Sequence, residues 1–531
     1  MKRKKIIDHA PFIILIVIIS LFSVRGYLFG MTSTLPTKGS DDSIITWILN
    51  QTIQKIPYDL GNIFNGNIFY PYKNTLAYSV MMIPSAIVAY LPTVLSGSYL
   101  TAFNFTVVFS QLTCGIILYL IFYEISNNKY SSAIALIALI LSKIRMSAGV
   151  HIHVFVMQYF LLGVYLFIKF KKTKKITFLY LTFLMMGIQV WESEIQVIFL
   201  LISCIIIVAL DLNIIKKYLK HFVLGSFFSI IIALPPALSY IKVVMDFGRP
   251  RGIREVAHFS ASIDQLWTSY WSTGLYMLFI MAIFITLTSQ LRKNKYLKAF
   301  VFITMIGAVF SLGPVLKWNF TTIHIGKFFV PLPYGIIYYL FPPLWAIRSV
   351  SRYIWLMAFG MAGVISVVLA SLNRKFLKIF FLPLITIAVL GGVFNSSNYQ
   401  YPDTDNYEKV YQFIRNSDAS SIAEYPFFGV DNNHGEEMKR MVYSLYHKKA
   451  LFNGASGFIP PERSAGISKI KKAFPNEEFI KILQKDKTDY FVVHKQLMSN
   501  EDFLKLKSKY EDIVVYEDKA SLVLDIRNYL I

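Results

Sequence analysis

Apolar runs of about 20 residues, each long enough to cross a bilayer, recur along most of this 531-residue chain and are parted by short basic clusters. So many segments of that length call for lipid as solvent, because a soluble interior has no room to hide them all. With 55% hydrophobic residues, a soluble protein of this size would also leave too much apolar surface in water. The formal charge of +22 would suggest nucleic acid in a soluble protein. Here the lysines and arginines punctuate the apolar runs instead of forming one surface, which is a positive-inside pattern. No nucleic-acid partner is expected; the bilayer is. Cys114 and Cys204 lie inside apolar runs and suit small buried residues better than a disulfide or metal pair.

The basic loops also allow the sides to be assigned. Met1-Lys2-Arg3-Lys4-Lys5 precedes the first apolar run without a clear small-residue cleavage site, so an uncleaved first helix with a cytoplasmic N-terminus is expected. Candidate runs begin near positions 11, 78, 100, 131, 151, 176, 195, 221, 272, 297, 353 and 376. If every run crosses, several basic clusters fall outside, among them Lys171-Lys172-Thr173-Lys174-Lys175 and Arg292-Lys293-Asn294-Lys295. Residues 78–95 are the weak candidate, because Pro84 and Pro92 interrupt helical hydrogen bonding. Placing that segment in the interface returns all these clusters to the cytoplasm. The expected architecture is then an α-helical polytopic protein of the plasma membrane with about 11 spans.

After Phe394 the chain becomes charged and has no run long enough to span. Alternating stretches at 422–425, 490–493 and 513–516 read as strands, and 405–416 and 475–486 as amphipathic helices. The expected domains are a transmembrane domain over 1–399, with a first outer loop at 30–99, and a small extracytoplasmic α/β domain over 400–531.

The outer segments hold the polar residues that need explaining. Asp41 and Asp42 follow Lys38-Gly39-Ser40, where they could cap a helix or supply a general base for a hydroxyl nucleophile. Residues 67–78 form an aromatic, proline-containing stretch suited to the headgroup level. Lys143 and Arg145 stand near the outer end of a span, either snorkelling or meeting an anionic ligand. His151, His153 and Gln158 open the next span. Spacing of i, i+2 puts the two histidines on different helix faces, which argues against a metal pair and leaves a hydrogen-bonding role for one. Glu192 follows Trp191 at a junction of two spans, either solvated or paired. Arg348 and Arg352 stand at i, i+4 after a proline-rich lead and could grip a phosphate or touch lipid headgroups.

In this order, the first-loop acid, the 67–78 stretch, His151 with Gln158 and the lead into Arg348 and Arg352 resemble bacterial GT-C-type membrane glycosyltransferases, in a branch with an outer α/β domain. The tail agrees through Ala423-Glu424-Tyr425-Pro426, His447-Lys448-Lys449, Asn453-Gly454-Ala455-Ser456-Gly457-Phe458 and Tyr490-Phe491-Val492-Val493-His494. The resemblance spans essentially the whole chain. It implies a catalytic aspartate aligned with Asp41, with Asp42 as rival, a polyprenyl-phosphate sugar as donor and a glycan or lipid acceptor outside the cytoplasm. Three departures stand: Asp-Asp replaces the Asp-Glu of better-studied relatives, no proline separates Arg348 from Arg352, and residues 192–194 hold two acids in place of aromatics. Two acids are too few ligands to expect a metal cofactor. A lipid-linked glycan flippase or a non-catalytic envelope assembly factor remains the alternative; the flippase predicts charges near the bilayer midplane, where the apolar runs show few.

Overall fold

The computed structural model describes residues 8–37, 39–149, 151–248, 252–270, 272–373, 375, 377, 399–400, 409–428 and 434–529. The chain is mostly helical, with short hairpins and one larger sheet near its end. It divides into two compact units, one of residues 1–28, 107–237 and 249–395, the other of 29–106, 238–248 and 396–531.

Among the described residues, four helices are long and apolar enough to cross a membrane: Leu100–Ser126, Ile152–Thr173, Asn213–Phe247 and Val350–Leu369. Lys129–Ile140 and Lys143–Gly149 make a fifth if taken together, bent by 49° at their junction. Shorter apolar helices cover Ala10–Ser23, Ile83–Ser96, Ile176–Glu192, Glu194–Ala209 and Thr273–Leu287. The run expected near 376 lies outside the described residues.

In the first unit, helix starts fall in the basic loops. The Asn128 side chain accepts from the Tyr130 and Ser131 amides, and Asn294 does the same for Tyr296 and Leu297, each asparagine satisfying orphan N–H groups. The Ile354–Leu369 helix is buried on every face and packs against Lys295–Ser311. Glycines let the two approach: a Cβ on Gly307 would meet the Met357 backbone at 2.2 Å, and one on Gly363 the Phe300 ring at 1.9 Å. Asn213–Phe247 behaves oppositely, exposing Val223, Phe227, Ile230 and Leu234, as a lipid-facing helix does.

The second unit is built on a five-stranded sheet, in the order Val514–Glu517, Ser521–Asp525, Tyr490–His494, Ser421–Tyr425, Ala450–Leu451. Ser421–Tyr425 runs parallel to both its neighbours, and the other pairs are antiparallel. The three anticipated strands are present with ends shifted by about a residue. Ser521–Asp525 is an additional central strand, and His434–His447, Pro461–Ala473 and Asn500–Lys509 are additional helices. One sheet face carries Ala423, Phe491, Val493, Leu522 and Leu524 into the main apolar core with Phe479, Leu483 and Leu506. Glu424 pairs in register with Val492, so Glu424 and His494 share the opposite face.

The first loop belongs to this same unit. Thr34–Leu35 pairs antiparallel with Tyr399–Gln400, and the Asp41–Ile53 helix packs against His434–His447.

Candidate functional site

Asp41 and Asp42 open the Asp41–Ile53 helix, where the positive end of the helix dipole favours carboxylates. Their surroundings differ. Asp42 is fully buried and accepts from the Thr37 amide at 2.7 Å, the Thr37 hydroxyl at 2.8 Å and the Ser43 amide at 2.8 Å. Burial raises its carboxyl above the usual range, against the pull of those donors. Asp41, one position earlier, is only half-buried. The structure thus separates a sealed acid from one nearer the surface. The turn before them needs Gly39, whose φ is +72° and whose α-carbon sits so close to Gly435 that a Cβ would meet the Gly435 oxygen at 2.3 Å.

The other candidates, Lys143, Arg145, His151, Gln158, Glu192, Arg348 and Arg352, all lie in the first unit, whereas the acidic pair lies in the second. Arg145 is buried, 3% exposed. Its Nε donates to Gln111 Oε1 at 3.0 Å, Nη2 to Ser110 Oγ at 3.4 Å, and Nη1 to the Phe155 carbonyl. The guanidinium stacks 3.4 Å from the Phe155 ring centroid and 5.4 Å from that of Trp355. No carboxylate among the described residues pairs with it.

That arrangement has a backbone cause. Between Leu141 and Met157 the chain breaks into one-turn pieces, and their carbonyls need donors from outside the helices. Arg145 and Ser110 supply the Phe155 carbonyl, and Gln196 Nε2 supplies those of His153 and Val154 at 3.0 and 3.2 Å. Gln189 in turn holds Gln196 at 2.8 Å.

Lys143 and His151 are exposed at the starts of two of these short pieces, and Gln158 is buried at the start of its helix, 4.0 Å from the Cys114 sulfur. The His151 and His153 rings meet edge to face at 6.2 Å. Among the described residues, no group of three or more His, Cys, Asp or Glu is placed to hold a metal ion. Glu192 is fully buried at the end of Ile176–Glu192. Arg348 is exposed and lies 4.6 Å over the Phe259 ring, while Arg352 is half-buried. Residues 347–349 are not helical, and Arg352 stands in the 3-10 turn Val350–Tyr353, so the i, i+4 geometry of an α-helix does not apply to this pair.

Two clusters in the second unit went unassigned in the sequence. Asn67, the first residue of the 67–78 stretch, accepts through Oδ1 from Trp47 Nε1 at 2.8 Å and Gln51 Nε2 at 3.1 Å. Its Nδ2 donates to Ser444 Oγ at 3.1 Å and the Lys449 carbonyl at 3.0 Å. The tail motifs also converge, because Glu424 Oε2 accepts from His494 Nε2 at 2.7 Å and Tyr411 at 2.8 Å, with Arg440 Nε at 3.6 Å. Arg440 also reaches Glu437 at 3.2 Å, and Asn453 donates to Glu437 at 2.8 Å. Burial alone would raise Glu424, but His494 above all, then Arg440 and His447, hold it at about 2. Burial pushes Glu437 up to about 7 and His447 down to about 4. The one signal for the second cluster is a charged or titratable residue in each of two short apolar strands, Glu424 in Ser421–Tyr425 and His494 in Tyr490–His494.

No protein-family description matches the sequence, and no characterised protein matches it at sequence level. Solved structures do match. The Archaeoglobus fulgidus oligosaccharyltransferase, in complex with zinc and sulfate, is 11% identical with a TM-score of 0.50, over 94% of this chain and 71% of that one. AglB from the same organism, in complex with an inhibitory peptide and a dolichol-phosphate, is 12% identical with a TM-score of 0.47, over 95% and 72%. ArnT from Cupriavidus metallidurans, in the apo state, is 12% identical with a TM-score of 0.45, over 98% of both chains. These neighbours are GT-C-type membrane glycosyltransferases. At such low identity the likeness concerns architecture: this chain has a GT-C-type fold.

Proposed function

We propose that this chain is a membrane glycosyltransferase of the cell envelope, moving a sugar from a polyprenyl-phosphate donor to a glycan or lipid acceptor outside the cytoplasm. The acceptor hydroxyl attacks the anomeric carbon and loses its proton to Asp41. The bond from that carbon to the phosphate oxygen breaks, and polyprenyl phosphate leaves. Within the first unit, the cations suited to bind a lipid phosphate are Arg348, Arg352 and Lys143. His151, exposed at the start of its short helix, supplies a hydrogen bond to a sugar hydroxyl, while Gln158 and Glu192 are buried. Arg145, consumed by carbonyls and rings, holds the backbone around them. The membrane domain has about 11 spans, the length of each set by bilayer thickness, with the N-terminus inside and the C-terminal domain outside.

The observation that carries this reading is the unequal treatment of the two acids: Asp42 is sealed by Thr37 and Ser43, and Asp41 is left nearer the surface at a helix N-terminus. A buried cap accounts for Asp42, and Asp41, half-buried at the same helix start, is the carboxylate that lies nearer to an incoming hydroxyl. The test is the glycan and lipid-linked sugar profile of cells lacking the chain. The expected result is an undelivered lipid-linked sugar together with a glycan or lipid missing one residue. An unchanged profile in both fractions contradicts the proposal.

A further inference from the structure

We infer that the C-terminal domain positions the acid-bearing helix for transfer, through a joint centred on Asn67; this rests on the proposed role of Asp41. Four contacts within the second compact unit point to it. The strand before the acids, Thr34–Leu35, pairs with Tyr399–Gln400. The Gly39 turn, two residues before Asp41, meets Gly435 so closely that a Cβ on Gly435 would lie 2.6 Å from the Gly39 oxygen. One face of the Asp41–Ile53 helix lies on His434–His447, and Gln54 just beyond it donates to the Leu445 carbonyl at 3.4 Å.

Asn67 ties these together. Its carboxamide oxygen takes hydrogen bonds from Trp47 and Gln51 on the acid-bearing helix, and its amide nitrogen gives them to Ser444 and Lys449 of the tail. Both ends of one small planar group are used, so no isosteric apolar residue replaces it. The backbone adds a second seam, because Leu451 donates to the Asn67 carbonyl at 2.6 Å, Tyr70 to the Leu451 carbonyl at 2.9 Å and Phe69 to the Asn453 carbonyl at 3.2 Å. Arg463, 2% exposed, closes it by donating to the Tyr70 carbonyl. A carboxylate used as a base must be held within a fraction of an ångström of its working place. A helix whose first turn follows a glycine hinge gains that rigidity from what it is packed against. Asn67 is therefore a positioning residue, and the tail is part of the transfer machinery without touching the reacting atoms.

The experiment uses the full-length chain in lipid nanodiscs, with Asn67→Ala, Gly435→Ala and the milder Ser444→Ala. Hydrogen exchange is followed over residues 41–53, and transfer from purified lipid-linked sugar is resolved into kcat and KM for acceptor. Asn67→Ala and Gly435→Ala should speed exchange of the helix amides about tenfold, a local-opening effect, and lower kcat about tenfold with KM unchanged. Ser444→Ala should do the same more weakly, which keeps the test sound if one stronger variant fails to fold. Unchanged exchange, or faster exchange with unchanged kcat, overturns the inference. If the wild-type chain transfers nothing, the glycosyltransferase reading fails, while the exchange result alone still decides whether the joint holds the helix.

Discussion

Thr37 gives both of its hydrogens to one carboxylate, its amide to Asp42 Oδ2 at 2.7 Å and its hydroxyl to Asp42 Oδ1 at 2.8 Å. With the Ser43 amide, these bonds commit Asp42 to closing the turn that leads into the helix. Thr37→Val keeps the shape and removes one donor. It should cost about 1 kcal/mol, the usual net worth of a single hydrogen bond, with more expected because the acceptor is a buried carboxylate. Burial already raises the Asp42 carboxyl, and losing a donor raises it further. A raised carboxyl contributes its stability below the unfolded value of 3.8 and loses it as pH rises through the folded value. The Thr37→Val penalty, read by hydrogen exchange of residues 41–53, should therefore be larger at pH 7 than at pH 4.

Arg145 makes a different demand. Its fork holds the Phe155 carbonyl and Gln111 while its plane stacks on Phe155, and a lysine offers neither the fork nor the plane. Arg145→Met and Arg145→Lys should each cost about 1–3 kcal/mol, because a buried carbonyl and a buried amide oxygen lose a donor. Thermal unfolding in detergent checks this; a lysine variant as stable as the wild type contradicts it.

The buried cluster of Glu424, Glu437 and His447 makes the tail sensitive to pH in two directions. Glu424, held at about 2, contributes stability above 4.5 that is lost as pH falls toward 2. His447, lowered to about 4, contributes above 6.5 and loses this as pH falls through 4. Glu437, raised to about 7, does the reverse, with its contribution complete below 4.5 and lost as pH rises through 7. Glu437→Gln removes only the last limb. Hydrogen exchange of the Tyr490–His494 strand in the full-length chain should show the variant gaining on the wild type between pH 5 and pH 8, by on the order of 2–3 kcal/mol.

The membrane character and the tail strands were readable in the sequence because both rest on local pattern: long apolar runs, and alternation in stretches such as Tyr490-Phe491-Val492-Val493. The Asn128 and Asn294 caps were present in the basic clusters but looked there like side markers. Asp41 and Asp42 could be found as a pair but not told apart, since what separates them is Thr37, five residues earlier and brought back by the Gly39 turn. Arg145 and Arg348 looked alike as outer arginines. Only the broken chain at 141–157, whose carbonyls want a donor, takes one of them into the interior. Asn67 is the hardest case. Its partners Ser444 and Lys449 lie more than 370 residues away, a pairing that no local period reveals.

The central claim is that Asp41 takes the acceptor proton while Asp42 builds the turn. The most direct measurement compares lipid-linked sugar in deletion cells complemented with the wild-type chain or with Asp41→Asn, each checked for equal amount in the membrane. General-base catalysis is worth about 10²–10⁴ in rate, so the asparagine variant should accumulate the undelivered lipid-linked sugar as the deletion does. Asp41→Asn that clears the intermediate and restores the glycan like the wild type contradicts the account.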